Sequence, residues 1–433
     1  MQLVADLHLH SKYSRAVSRQ MTLLPMTQWA AFKGIDLLGT GDFTHPLWFR
    51  ELQLNLVEEA EGIYRLKDQG PENKQTKFLL TAEISSIYSQ GGKTRKIHNL
   101  VLAPNFKAVE KINQELLKRG ANLMADGRPI VGLSARELLS LVLGADENCL
   151  LIPAHIWTPW FSLFGANSGF DSLEECFADL ASHIYAIETG LSSDPSMNWA
   201  IADLRNRQIV SFSDAHSPQN LGREMTILEV PKLSYPELVK ALKGDLESLA
   251  IRTIEFYPEE GKYHYTGHRQ CGVVQSPQET ASKGVTCPVC GKRLTVGVMH
   301  RVEQLAGKPI PEPEFKSDDF GVRWISREGR GSYTNLVPLA EIIAEVKSVG
   351  KSSKTVLNEY KTLVNNFKSE LEVLTRTKPE EVTAFSGEKL AEGIAKVRKG
   401  EIFIRPGFDG EYGQVSIWQS ETPQSSNEQM GLF

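Results

Sequence analysis

Between Met1 and about Val230 the chain repeats one pattern. Seven short apolar runs, MQLVADLHLH, IDLLGTGDF, FLLTAEISSIYS, KIHNLVLAP, NCLLIPAHI, IYAIETGL and QIVSFSDAH, alternate with longer amphipathic stretches. Each run reads as a strand followed by loop or helix, which predicts β/α units around a parallel sheet, open or closed into a barrel. In such folds the functional groups sit at the carboxyl ends of the strands. Those ends here carry Asp6, His8, His10, Asp42, His45, Glu83, His98, His155, Glu188, Asp214 and His216. Six of the chain's ten histidines fall there, which scatter would not produce. Asp6, His8 and His10 recur at intervals of two, and such positions on a strand share a face. Imidazole and carboxylate together suit Zn, Mn or Fe, and a carboxylate such as Glu83 can bridge two ions roughly 3.5–4 Å apart. The pattern predicts a multinuclear metal centre, and phosphoester hydrolysis is the natural chemistry of such a centre.

Composition bounds the rest. With 433 residues, 41% hydrophobic and 23% charged, the chain has material for two or three cores. A net charge of −5 gives no global basic signature, so nucleic-acid contact must rest on local patches. Five cysteines with no apolar signal segment after Met1 do not form a disulfide framework. No apolar run approaches the roughly 20 residues of a membrane helix. A cytoplasmic protein with no membrane partner is expected.

Beyond Pro231 the texture changes. From YHYTGHRQCGVV to VTCPVCGKRLTVGVMHRV hydrophobics thin out and three of the five cysteines gather, marking a connector and small metal-binding module over 231–308. His268-x2-Cys271 and Cys287-x2-Cys290 are knuckle pairs at zinc-ribbon spacing, and Gly291 supplies the tight turn after the second. His264 and His300 compete with His268 for the fourth position. Thiolate ligands make this one structural zinc, whose job is to build a surface. Lys262, His264, His268, Arg269, Lys283, Lys292, Arg293, His300 and Arg301 lie in or beside the module with Tyr257, Tyr263 and Tyr265 interleaved. Cations for phosphates and rings for stacking are what nucleic-acid contact requires; a solvated charged face is the alternative.

PIPEPEF reads as an extended linker, and helical patterning from Leu336 to Gly400 gives a helical DNA-binding domain over 309–418. Within it Gly387 and Ala391 fit a helix-hairpin-helix, which offers backbone N–H groups to phosphate. Residues 419–433 form a polar tail ending in QMGLF. That ending resembles the bacterial sliding-clamp peptide, with Gln429, Met430, Leu432 and Phe433 as contacts for an apolar groove on the clamp.

DLHLHS, GTGDFTH, TAEIS, KIHNLVL, IPAHIW and FSDAH, in this order and spacing, resemble the polymerase and histidinol phosphatase (PHP) domain over about the first half of the chain. The resemblance implies an α/β fold, a distorted (β/α)7 barrel with two or three divalent metals, which the donor set allows to be Zn, Mn, Fe or Mg. It implies that His8, His10, Glu83 and Asp214 hold one metal, that Glu83, His98 and His155 hold a second, and that His216 serves a third. The second motif reads Thr40-Gly41-Asp42-Phe43-Thr44-His45 in place of the family's Thr-Asp-His, and both Asp42 and His45 are expected as ligands. Asp214, Glu83 and His216 are expected to carry catalysis, with Asp6 and Glu188 as ligands or as residues that orient them. Together with CPVCGK, LTVGVMHRVEQLA and IRPGFDGEYG, nearly the full length is similar to the endonuclease Q family of DNA-repair nucleases.

That second resemblance implies cleavage of the phosphodiester 5′ to deoxyuridine, deoxyinosine, deoxyxanthosine or an abasic site, on the nucleoid. The lesion would be flipped out, and IWTPWFSLFG would line its pocket, wedge the gap or simply pack as a long loop. Residues and spacing alone reach only a metal-dependent phosphoesterase with a zinc module. A small-molecule phosphatase of the same fold, such as one for histidinol phosphate, and a non-catalytic DNA-binding protein are the other readings.

Overall fold

A computed structural model describes residues 1–67, 76–246, 251–307 and 312–419. Gln429, Met430, Leu432 and Phe433 lie outside the described residues, as does part of PIPEPEF.

The strand Gln2–Asp6 lies within a 13-stranded sheet. Leu3, Ala5 and Leu7 enter one apolar layer and Val4 the other, so both faces of the sheet are covered. The strand pairs parallel with Leu37–Gly39, which pairs parallel with Lys77–Gln90. On its other side it runs antiparallel to Met225–Glu229.

Besides that antiparallel pair, the expected parallel order breaks at a hairpin for a local reason. Lys77–Gln90 turns straight back into Lys93–Ala103, antiparallel and in register from Gln90↔Lys93 to Leu80↔Ala103. Gly91 and Gly92 have φ of 59° and 72°, the left-handed pair that a two-residue hairpin turn needs. No helix fits in such a turn, so KIHNLVLAP lies antiparallel to its predecessor and also to Leu150–Pro153. The result is a mixed sheet that forms a distorted PHP-type barrel with added helical and β modules.

Glu314–Ser317, Arg323–Ser326 and Tyr333–Asn335, expected to open the helical unit, instead lengthen the barrel's sheet through Ile251–Glu255. The helices come after them: Leu339–Lys347, Lys354–Asn366, Glu370–Thr375, Pro379–Ser386 and Glu388–Lys399. Ser353 and Ser369 cap two of these by accepting the N–H groups of Val356 and Glu372. Gly387, at φ 86°, joins the last two helices without a loop. A short hairpin, Phe403–Arg405 with Gln414–Ser416, closes the unit.

A cleft of about 1130 Å³ opens where the barrel strands begin, between Gln2, Arg252, Trp324 and Arg376, and contains none of the metal-capable clusters. Among the described residues no helix is long and apolar enough to cross a membrane.

Candidate metal centre

His8, His10, Asp42, His155, Asp214 and His216 stand just past strand ends, whereas Glu83 and His98, expected there too, lie within the long paired strands Lys77–Gln90 and Lys93–Ala103. Asp42, His155 and Asp214 have φ of 49°, 30° and 46°, a left-handed conformation that Asp and His tolerate better than most residues. Asp6 accepts the N–H groups of Ser213 and Gly222, tying the end of the first strand to the loop that carries Asp214. Burial pushes the Asp6 carboxyl up to about 6.

Two clusters meet at Glu83. In the first, donor atoms of His8, His10, Glu83 and Asp214 all lie within 4.8 Å of one another. His10 Nε2 is 3.2 Å from Glu83 Oε2 and 3.1 Å from Asp214 Oδ1; His8 Nε2 is 3.6 and 3.7 Å from the same two atoms. In the second, Glu83 Oε1 is 2.6 Å from His98 Nδ1 and 3.1 Å from His155 Nε2. One oxygen of Glu83 thus faces each cluster. His8 Nε2, His10 Nε2 and Asp214 Oδ1 are buried and have no hydrogen-bond partner among the described residues. Buried polar atoms are normally satisfied. Three such atoms converging on one carboxylate fit a divalent cation, and N/O donors of this kind suit Zn, Mn or Fe.

Electrostatics agree with that fit. Burial lowers the pKa of His8 and His10, but the surrounding carboxylates outweigh it and hold both well above the ordinary imidazole value. Burial raises Glu83 and Asp214, yet the histidines keep both well below the carboxylate range. His98 is different: burial brings it down to about 4 despite Glu83. A positive charge is therefore wanted at this spot, and a cation supplies it with the imidazoles neutral.

An outer layer fixes these rings. Glu188 accepts from His8 Nδ1 at 2.9 Å and from the backbone N–H of His155. Asp42 accepts from His10 Nδ1 at 3.0 Å and from Ser11 and Ser14, so it stands behind His10 and outside both clusters. His45 is also outside them: it precedes the helix Pro46–Asn55 without a capping side-chain bond and stacks on Tyr13 at 4.4 Å. His216 lies against the first cluster, its ring 4.7 Å from that of His10 and its Nδ1 2.8 Å from the Asp214 carbonyl oxygen. One residue at the site had no signal in the strand pattern. Arg128 reaches Glu83 Oε2 from a loop at 3.1 Å.

The second constellation assembles His268, Cys271, Cys287 and Cys290, the make-up of a structural zinc site. His268 Nδ1 is 3.5 Å from Cys290 Sγ. His264 is buried and stacks on Tyr265, and His300 meets the Pro277 carbonyl oxygen, so neither enters the group. Gly291, at φ 74°, donates to the Cys287 carbonyl oxygen and closes the knuckle.

The basic surface is narrower than its residue types imply. Tyr257, His264 and His300 are buried, whereas Arg269, Lys283, Lys292 and Arg293 are exposed. Arg301 donates to the carbonyl oxygens of Phe164 and Phe170 and pairs with Asp171, which binds the module to the loop after His155. That loop divides by role. Trp157 and Phe164 are buried against each other, while Phe161 lies 4.9 Å from His98 and Trp160, 38% exposed, meets Tyr263 edge-on.

Several known proteins are similar to this chain over part or nearly all of its length. The family described as the MJ0043 C-terminal domain matches residues 338–401. Bacillus subtilis YqxK is 30% identical over 425 residues, 96% of this chain and 99% of that protein. Methanocaldococcus jannaschii MJ0043 is 32% identical over 283 residues, 64% of this chain; the match spans about a third of MJ0043, 32%. The crystal structure of the lesion-specific endonuclease PfuEndoQ from Pyrococcus furiosus superposes with a TM-score of 0.81 at 31% identity, covering 96% of this chain and 95% of that one. Endonuclease Q in complex with a 27-mer duplex bearing an abasic lesion at the active site gives the same TM-score and identity over 97% of both chains.

Proposed function

Because the chain belongs to the endonuclease Q family, we propose that it is a DNA-repair endonuclease hydrolysing the phosphodiester 5′ to deaminated bases (uracil, hypoxanthine, xanthine) and abasic sites. The observation that carries this reading is the pair of donor clusters sharing Glu83, set in a chain that follows a lesion-specific endonuclease over nearly its whole length.

In this reading His8, His10, Glu83 and Asp214 hold one divalent metal and Glu83, His98 and His155 a second, with His216 beside Asp214 serving a third. Bound there, divalent metals supply an activated water near neutral pH and offset charge developing on the phosphate. Glu188 and Asp42 keep the rings of His8 and His10 in position, a role whose loss typically costs 10–100-fold in metal affinity or activity. Water adds to phosphorus and the bond to the 3′ oxygen breaks, leaving a 3′-hydroxyl on the preceding nucleotide and a 5′-phosphate on the lesion nucleotide. A phosphodiester beside a stacked base is hard to reach, so the lesion leaves the stack, and weakly paired lesions leave it most easily. Phe161, beside His98, and Trp160, beside Tyr263, are the rings that would meet it.

The exposed cations of the zinc module and the helices of 339–399 form the surface for the duplex. The QMGLF ending takes the bacterial sliding clamp as partner, and the protein works in the cytoplasm on the nucleoid. Labelled duplexes carrying one uracil, hypoxanthine, xanthine, abasic site or normal base test the activity. A nick immediately 5′ to each lesion, and none at the normal base, is expected. Hydrolysis of small phosphomonoesters with no nicking of any lesion duplex would overturn the reading.

A further inference from the structure

Arg128 lies in ADGRP, a segment that no strand pattern marks and that the fold threads between the site loops. Gly127 donates to the Tyr13 carbonyl oxygen at 3.1 Å and accepts from Thr44 Oγ1 at 3.0 Å. A side chain at Gly127 would collide with the Asp42 carboxylate and the Ser14 hydroxyl. Asp126 accepts the Arg128 N–H at 3.2 Å, and the Pro129 carbonyl oxygen accepts from Ser85, two residues past Glu83. The loop is thus locked against the first, second and third motifs, and its lock holds one side chain at the centre of the site.

That side chain is a guanidinium with donors to spare. Nη1 meets Glu83 Oε2, the oxygen that faces His8 and His10, at 3.1 Å. Among the described residues its other N–H groups have no acceptor, although a guanidinium carries five. The Arg128 side chain is 26% exposed, so the guanidinium is not sealed off from solvent. Among the described residues no other Lys or Arg pairs with a carboxylate of either cluster. Arg223, the neighbouring cation, is turned to the carbonyl oxygens of Ser213 and Asp214. The charge of Arg128 reaches across the site, helping to hold down Glu83 and to lower His98 and His216.

If Arg128 served only to neutralise Glu83, a buried and fully engaged guanidinium would do. A half-open fork beside the carboxylate common to both clusters is instead placed for an anion arriving from outside, and planar two-point binding of phosphate oxygens is what arginine does better than lysine. We infer that Arg128 is a catalytic residue that binds the scissile phosphate through the guanidinium N–H groups not used on Glu83. The inference rests on the endonuclease reading, and deepens it by naming the group that receives the substrate's charge.

The test reads binding as well as turnover. In an inactive Asp214→Asn background, a lesion duplex with an ordinary phosphodiester 5′ to the lesion is compared with one carrying an uncharged methylphosphonate there. With Arg128 present the methylphosphonate should weaken binding about tenfold or more, as for loss of a hydrogen bond to a charged group. With Arg128→Gln added, the two duplexes should bind alike. In the otherwise unsubstituted protein, Arg128→Gln should lower kcat by about 10²–10³ with barrel metal content unchanged, and Arg128→Lys should recover part of it. An equal methylphosphonate penalty with and without Arg128, or loss of barrel metal in both variants, would overturn the inference. Should Arg128→Gln fail to fold, Arg128→Met carries the same comparison, since it keeps much of the apolar stem and removes both the charge and the fork. Absence of nicking by the unsubstituted protein sinks the endonuclease reading itself; nicking without methylphosphonate discrimination sinks only the role of Arg128.

Discussion

Lys33 and Glu370 meet at 2.6 Å with both side chains almost wholly buried, and they join the barrel to the helical unit. Lys33 ends the helix Leu23–Lys33; Glu370 opens the helix Glu370–Thr375 and also accepts from Tyr360 and from the backbone N–H of Leu339. Removing one member of such a pair leaves a buried charge without its counterpart. Lys33→Met should therefore cost about 3–5 kcal/mol of unfolding free energy in urea titrations. Nicking at low temperature should persist, because no metal-capable group is touched.

Asp214→Asn removes one donor charge from the first cluster and leaves the binding surface intact. Cleavage should fall by roughly 10³ or more, while duplex affinity by fluorescence anisotropy stays within a few-fold. Affinity falling in step with activity would show that Asp214 serves binding.

Cys287→Ser with Cys290→Ser should remove one zinc per chain by elemental analysis and leave barrel metals in place. Arg301 ties the module to the Phe164–Phe170 loop, so lesion binding should weaken too. An unchanged zinc count would refute the assignment of the Cys/His group.

Glu255 and Glu224 set a pH dependence away from the clusters. Burial pushes Glu255 up to about 8, although Ser211 and Thr189 donate to it, and burial together with Glu255 raises Glu224. Between the ordinary carboxyl value of about 4.5 and about 8 the folded chain keeps a proton that the unfolded chain has released. The stabilising contribution is complete at low pH and is lost as pH rises through that window. Melting temperature should fall from pH 5.5 to pH 8.5, and Glu255→Gln should flatten the fall, by roughly a few degrees. A parallel decline in both proteins would remove Glu255 as its source.

Deletion of residues 429–433 should leave nicking of short duplexes unchanged and abolish clamp binding. A five-residue peptide buries little area, so its affinity should be about micromolar, with its benefit arising from effective concentration on DNA. No binding of the peptide to purified clamp at high micromolar concentration would dismiss the partner.

His8, His10, His155 and Asp214 were legible because barrel strands deliver the residues just past their ends to one mouth; Glu83 and His98 were marked by the apolar residues around them, although their strands run on well beyond them. The zinc group was legible because ligand spacing is a local property; which histidine completes it was not, since that depends on how the strand Thr266–His268 lies over the knuckle. The hairpin at Gly91-Gly92 carried a turn signal in plain view, but the apolar run after it looked like any other β/α unit. Residue type also says nothing about side. Tyr257, His264 and His300 belong by composition to a nucleic-acid surface and are in fact packed inside. Arg128 had no apolar run ahead of it, and DGRP reads as an ordinary turn until the loops it crosses are in place.

The left-handed backbone at Asp42, His155 and Asp214 has a consequence for anyone who engineers this scaffold. Each such residue costs the folded chain on the order of 1 kcal/mol. Glycine relieves that cost and deletes the group that the site needs. Laboratory evolution toward heat resistance will thus be drawn to these three positions and will return robust, inert proteins, because tolerance to heat and turnover pull on the same backbone angles.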